Sequence, residues 1–142
     1  MSIIDSMLAV APYLGKMMRE NTAVIIYDRT HMLYYAQHGD FDMGYKTGDQ
    51  LYPGFENFAA LKGSKEARLD AYPAEMFPFG YPLHSVTIPL LENGEVAAVL
   101  TISYDQTNQE KLQTLANDNR SIAENLVDMV QHIAAHAEEL QA

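Results

Sequence analysis

The sequence has 142 residues, a net charge of −10 at neutral pH and 48% apolar residues, which makes one folded domain with one modest core and excludes a disordered chain. Nine Lys and Arg against nineteen Asp and Glu leave no basic face for nucleic acid or for an anionic membrane. Cysteine is absent, which excludes disulfides and thiolate chemistry, and no leader-like N-terminus or run near the roughly 20 apolar residues of a membrane span occurs, so the expected location is the cytoplasm.

Residues 1–20 read as an N-terminal helical segment. Ile4, Met7, Leu8, Ala11, Leu14 and Met18 recur at helical spacing. Ser2 with Asp5 three residues on is an acidic variant of the capping box. Pro12 falls inside the stripe. With no N–H to offer Leu8, it predicts a kink or a break into two helices. Met7, Met17 and Met18 are read as packing residues.

Residues 23–28 and 32–37 are apolar runs of strand length around the turn Asp28-Arg29-Thr30-His31, and predict a hairpin. Gly39 to Pro53 is a polar loop, with no glycine group leading into the Lys-Ser or Lys-Thr of a phosphate loop. Residues 55–62 predict a short helix closed by Gly63, burying Phe55 and Phe58 with Ala59 or Leu61. Residues 65–71 predict a weak third strand. Tyr72 to Pro82 is an aromatic, proline-rich loop that either plugs the core or closes over a ligand.

Asn93-Gly94 between two apolar runs marks a type I′ turn joining 84–91 to 96–104. An unbulged register pairs Leu91 with Val96, Pro89 with Ala98 and Ile88 with Val99. The missing donor of Pro89 then faces the strand's other neighbour, so that neighbour ends early or the strand is an edge there. Asp105-Gln106-Thr107 leads almost without a loop into a long helix. There Leu112, Leu115, Asn119, Ile122, Leu126, Met129, Ile133, His136 and Leu140 follow one line at about 3.5 residues per step, the spacing of a coiled-coil seam. Asn119 takes an a position, where a polar residue fixes register. A stripe this narrow on a helix this long predicts a second copy as its cover, hence a homodimer, rather than a helix folded back on its own sheet.

Helix, two strands, helix, three strands, long helix is an α+β order. It implies an N-terminal helix (1–20), a five-stranded antiparallel sheet domain (21–104) and a C-terminal dimerisation helix (105–142). The order resembles the PAS-like sensor class with its GAF and Cache relatives. More closely, three stretches resemble the N-terminal sensory region of soluble bacterial methyl-accepting chemotaxis receptors. They are Ile3-Ile4-Asp5-Ser6 with Ala11-Pro12-Tyr13-Leu14, the strand Ser85-Val86-Thr87-Ile88-Pro89-Leu90 with its Asn93-Gly94 turn, and the exit helix from Ile122 to Leu140. Ile133-Ala134-Ala135 with Glu138-Glu139-Leu140 is similar to the linker into such receptors' signalling hairpin. The resemblance implies a sensory domain that binds a small molecule and passes its state through a dimeric helix. The signalling hairpin, where a histidine kinase and its adaptor would bind, is not among these residues, which implies a piece of a longer receptor. The alternative is a scaffold module of the roadblock or longin type, with nearly the same element order and no pocket.

In a PAS-like sheet the ligand lies between one sheet face and the segments crossing it, here residues 40–62 and 72–83. The candidate ligand residues are Tyr35 and His84 from strands, and Tyr52, Phe58, Phe77, Phe79 and Tyr81 from the covers. Tyr and His offer polar tips, and Phe rings exclude water. Arg68 is a candidate for a small carboxylate. No cofactor is expected, with a haem on His84 as the alternative. His132 and His136, four apart with Asp128 one turn away, have a zinc-capable spacing but no third His or Cys, and are read as solvated or seam-lining. Asp40, Asp42, Asp49 and Glu56 are read as a solvated acidic loop. No Ser-His-Asp, His-Glu-x-x-His or Gly-x-Ser-x-Gly pattern occurs, so an enzyme is not expected.

Overall fold

Two strands explain the layering. β1 (Thr22–Tyr27) is buried at every position, and β5 (Glu95–Asp105) is buried throughout its centre. A strand covered on both faces reads as an unbroken apolar run, because neither set of alternating side chains meets water. In this computed structural model the described residues are 2–18, 22–38, 43–51, 55, 58–72, 83–105 and 109–141, and in the last helix the side chains of 116–136.

The sheet is antiparallel throughout. β2 (Met32–His38) and β3 (Arg68–Tyr72) are its outer strands, β4 is Leu83–Glu92, and the order is β2-β1-β5-β4-β3. The expected α+β order and the five-stranded antiparallel sheet are both present. Two helices, α1 (Ile3–Met17) and α2 (Gln109–Gln141), lie on one face. Val24 and Ile26 of β1, Val86, Ile88 and Leu90 of β4, and Ala98, Leu100 and Ile102 of β5 point into this layer. Each fully buried Val, Leu or Ile there stabilises the fold by about 1.5–3 kcal/mol. The opposite face is covered by described residues of the chain between β2 and β3, among them Met43, Tyr45, Phe55 and Ala60. That chain includes a short 3-10 helix η1 (Ala59–Lys62), closed by Gly63 in the left-handed region at φ 101°. The short helix expected over 55–62 and closed by Gly63 is present as this 3-10 turn, with residues 56–57 outside the described ones.

In α1, the Ser2 hydroxyl accepts from the Asp5 N–H at 3.0 Å, the expected cap. Pro12 does not break the helix, which runs unbroken from Ile3 to Met17. Pro12 sits on the exposed side, while Met7, Ala11 and Leu14 pin the turns before and after it to the sheet.

The Asn93-Gly94 turn has positive φ at both positions, 52° and 78°, as a type I′ turn requires. The register beyond it differs from the unbulged one. Leu91 pairs with Val96, but Leu90 pairs with Ala98, Pro89 with Val99 and Ile88 with Leu100, because β5 bulges at Ala97. The bulge has one cause and one large effect: an extra residue in one strand turns every later side chain to the other face. Pro89 lies beyond β3, whose first pair is Arg68 with Thr87, so the early-ending neighbour is the arrangement found.

The long helix corrects one expectation. Its inward stripe is Ala116, Asn119, Ala123, Val127 and Val130, buried against the domain's own core, so α2 does fold back on its sheet. The reason is size, since small residues let a helix approach a sheet closely. Apart from Asn119, which belongs to both, the expected seam runs one residue earlier. Ile122 and Leu126 are half-buried against the same core, whereas Met129 and Ile133 are 59% and 61% exposed. Leu112, Leu115 and Leu140 lie outside the described side chains, as does the junction at 106–108.

Candidate functional site

The bulge at Ala97 builds the floor of a cavity on the loop face. Shifted by one, β4 and β5 bring Ser85 opposite Ser103 and Thr87 opposite Thr101. All four hydroxyls then lie on one face, in adjacent pairs, at the centre of the sheet. Ser85 and Ser103 share a hydrogen bond at 2.9 Å. The Thr101 hydroxyl donates to the Tyr27 oxygen at 3.3 Å. In the unbulged register Ser85 and Ser103 would face opposite sides of the sheet.

Around this floor stand Ile25, Leu83, Met43, Phe55, Phe58 and Tyr72. They enclose a cavity of about 20 Å³, space for a water-sized occupant. The cover is a chain of rings crossing the sheet from the β2 edge to the β3 edge. Tyr35 meets Tyr45 at 5.8 Å, Tyr45 meets Phe55 at 6.1 Å, Phe55 meets Phe58 at 4.8 Å, and Phe58 meets Tyr72 at 5.4 Å. Tyr27 closes it from below, edge-on to Phe55. The Met43 N–H donates to the Tyr35 hydroxyl at 2.8 Å, which ties the cover to β2. Residues 47–51 hydrogen-bond along the chain from Thr30 to Tyr35, so this edge of the sheet is protected.

None of the described lining residues carries a charge. Burial pushes the Tyr27 hydroxyl far above its ordinary pKa, with the Thr101 bond pulling it partly back. Burial likewise pushes Tyr72 up to about 12, and the neighbouring Asp70 carboxylate adds to the effect. Both phenols are neutral at physiological pH. Hydroxyls donate and accept, and within apolar walls their bonds are stronger than in water. The chamber can therefore orient a small uncharged molecule; it offers no charge to pair with an ion.

A groove of about 290 Å³ lies outside and shares Phe58, Tyr72 and Thr87 with the cavity. Arg68 belongs to this groove, half-exposed and 3.4 Å from Asp70, rather than to the chamber.

The sequence-derived candidates divide. Phe58 lines the cavity. Tyr35 packs one ring away, behind Tyr45. His84 faces the other side of the sheet: Leu83 and Ser85 line the cavity, and alternate strand residues point in opposite directions. A haem on His84 would accordingly lie outside this cavity. Tyr52, Phe77, Phe79 and Tyr81 lie outside the described residues. His132 and His136 are exposed on α2. The four floor hydroxyls and Tyr27 were missed. The signal was the alternation of hydroxyl and apolar residues in Ser85-Val86-Thr87 and Thr101-Ile102-Ser103, legible only with the bulge in place.

No known protein family's profile matches this chain. It is 30% identical over 115 residues to the "Putative sensory transducer protein YfmS" of Bacillus subtilis (strain 168), an alignment covering 80% of this chain and 39% of that protein. The chain thus spans well under half the length of this curated relative. In fold it is similar to a chain of the crystal structure of the E. coli DhaR(N)-DhaL complex, with a TM-score of 0.51 and 16% identity, over 98% of this chain and 53% of that one. This likeness concerns the fold alone. No described helix is long and apolar enough to cross a membrane.

Proposed function

We propose that this chain is a non-catalytic sensory domain of a signal-transduction protein, of the kind its relative's name describes. It binds a small uncharged molecule in the loop-face cavity, whose water-sized chamber of about 20 Å³ must widen by movement of the Phe55 and Phe58 cover to admit anything larger. It passes the bound state through α2, as a homodimer, to a chemotaxis-type signalling region, which is where a histidine kinase and its adaptor would engage. The observation that carries the reading is the square of hydroxyls on β4 and β5 under a cover of aromatic rings. A structural core gains nothing from buried hydroxyls that apolar side chains could replace, whereas a binding floor needs them. The element order supports the PAS-like assignment, and the distant relationship to a protein named as a sensory transducer supports the sensory role.

The test is a thermal-shift screen of the purified chain against small neutral alcohols, ketones and amides. Compounds that raise the melting temperature of the wild type but not of Thr101→Val are the expected result, since valine keeps the shape and removes the bond. A screen in which no compound discriminates the two would favour the scaffold reading, which requires no occupied cavity.

A further inference from the structure

On the helix face, one row of residues breaks the apolar pattern. It lies at the end of the sheet where β1 starts and β5 finishes. In spatial order it runs His38 on β2, Thr22 on β1, Tyr104 on β5 and His84 on β4. Each is directly opposite the next in the ladder: Thr22 pairs with His38 and with Tyr104, and Tyr104 pairs with His84. Asn119 of α2 stands over the row beside Tyr104. Burial pushes the Tyr104 hydroxyl's pKa up and the nearby carboxamide pulls it partly back, though the two make no well-formed hydrogen bond. Thr22, Tyr104 and Asn119 are completely buried. His38 packs its ring onto the backbone of Gly15 in α1, where any side chain would strike it.

Among the described residues, none of these polar tips has a hydrogen-bond partner: His38 Nε2, Thr22 Oγ1, Tyr104 Oη, His84 Nδ1, and Oδ1 and Nδ2 of Asn119. Buried polar atoms are almost always satisfied, by protein or by ordered water. Opposite hydroxyls can bond directly across this ladder, as Ser85 and Ser103 do at 2.9 Å, but here the short Thr22 stands between the long His38 and Tyr104, and the tips do not meet. Every group in the row can both donate and accept, which is the complement of water. Among the described residues, no Asp, Glu, Lys or Arg stands in the row.

We propose that this row is a binding site for a file of ordered waters, bridging neighbouring strands and tying Asn119 of α2 to the sheet. The file lies back to back with the cavity floor, because His84 precedes Ser85 and Tyr104 follows Ser103. The joint between the sheet and the long helix is therefore wet where the rest of that interface is dry. A bridged joint exchanges its bonds without opening a void, so α2 moves here at lower cost than along Val127 and Val130.

A high-resolution crystal structure of the purified chain tests this directly. Ordered waters within hydrogen-bond distance of Thr22 Oγ1, Tyr104 Oη and Asn119 are expected. A dry row, with Tyr104 bonded to Asn119 and Thr22 to His38, overturns the proposal. In solution, magnetic relaxation dispersion counts long-lived internal waters. The count should fall from the wild type to the double variant Tyr104→Phe/Asn119→Leu, and equal counts overturn the proposal. Circular dichroism checks that this variant folds; if it does not, Thr22→Val, near-isosteric at the centre of the row, serves in its place with the same two readings.

Discussion

On one side of β5, Ala98, Leu100 and Ile102 face the core layer that the two helices share; on the other, Val99, Thr101 and Ser103 face aromatic rings and a chamber. The same strand serves both. The helix side is filled with aliphatic residues, mostly at zero exposure, and owes its stability to area removed from water. The loop side spends four central positions of β4 and β5 on hydroxyls, which contribute little to burial and carry directional bonds. The contrast separates a face of aliphatic packing from a face that carries directional polar groups. It also predicts that the two respond differently to substitution.

The largest effect belongs to the helix side. Leu100→Ala removes a fully buried side chain where α1, α2 and three strands leave no room to relax. A loss of about 3 kcal/mol in urea unfolding is expected, within the usual range of about 2–5. A loss under about 1 kcal/mol would mean that this face is loosely packed, and would erase the contrast.

The loop side should show a different pattern. Ser103→Ala leaves the Ser85 hydroxyl buried without its partner, and about 1–2 kcal/mol should be lost. The double change Ser85→Ala/Ser103→Ala removes both halves of the bond and should cost less than the single one, because no orphaned group remains. Additive losses measured by the same unfolding experiment would show that the two hydroxyls act independently and that the floor is not a unit.

Much of this contrast was legible in the sequence, but not the hydroxyl floor. Alternation and turn chemistry identified the hairpin, the five strands and the cap at Ser2. They also expected the chain after β2 to cross one face of the sheet, as its described residues do. What they missed depends on one residue, Ala97. A bulge leaves no mark in hydrophobic patterning when both faces of the strand are buried, since an apolar run fits either register. His84 was therefore assigned to the cavity and the hydroxyls were overlooked. The long helix misled for another reason. Its large apolar residues mark the 3.5-residue line, while the residues buried against the core are the small Ala116, Ala123 and Val127.

A smaller effect lies at the β1–β2 turn, outside both faces. Asp28 accepts from the N–H groups of Thr30 and His31 and from the Thr30 hydroxyl, at 2.8, 2.9 and 2.9 Å. Partial burial pushes its carboxyl up, but these bonds outweigh it and hold the carboxyl below its ordinary value. A depressed folded-state value means the stabilisation is present above the unfolded pKa and is lost as pH falls through the folded one. The group is largely solvated, so less than about 1 kcal/mol is at stake. Asp28→Asn should flatten the stability curve between neutral and acid pH by that amount. An unchanged curve would mean the acid limb arises elsewhere.

The smallest effect on the fold should accompany the largest on assembly. Met129 and Ile133 stand out from α2 on the side away from the core, and Tyr13 and Met17 are likewise exposed on α1. Replacing Met129 and Ile133 together with Glu removes no buried contact within one chain, so unfolding should shift by no more than about 0.5 kcal/mol. Leu126 is a poorer choice, because it is half-buried against the domain's own core and its loss would confuse folding with association. If the outward stripe is the homodimer seam, the Glu pair places like charges across a two-fold contact and the protein should become monomeric by light scattering at micromolar concentration. A wild type that is already monomeric there, or a variant that stays dimeric, would leave α2 as a helix of the helix-side core alone and would remove the route by which the cavity's state reaches a second chain.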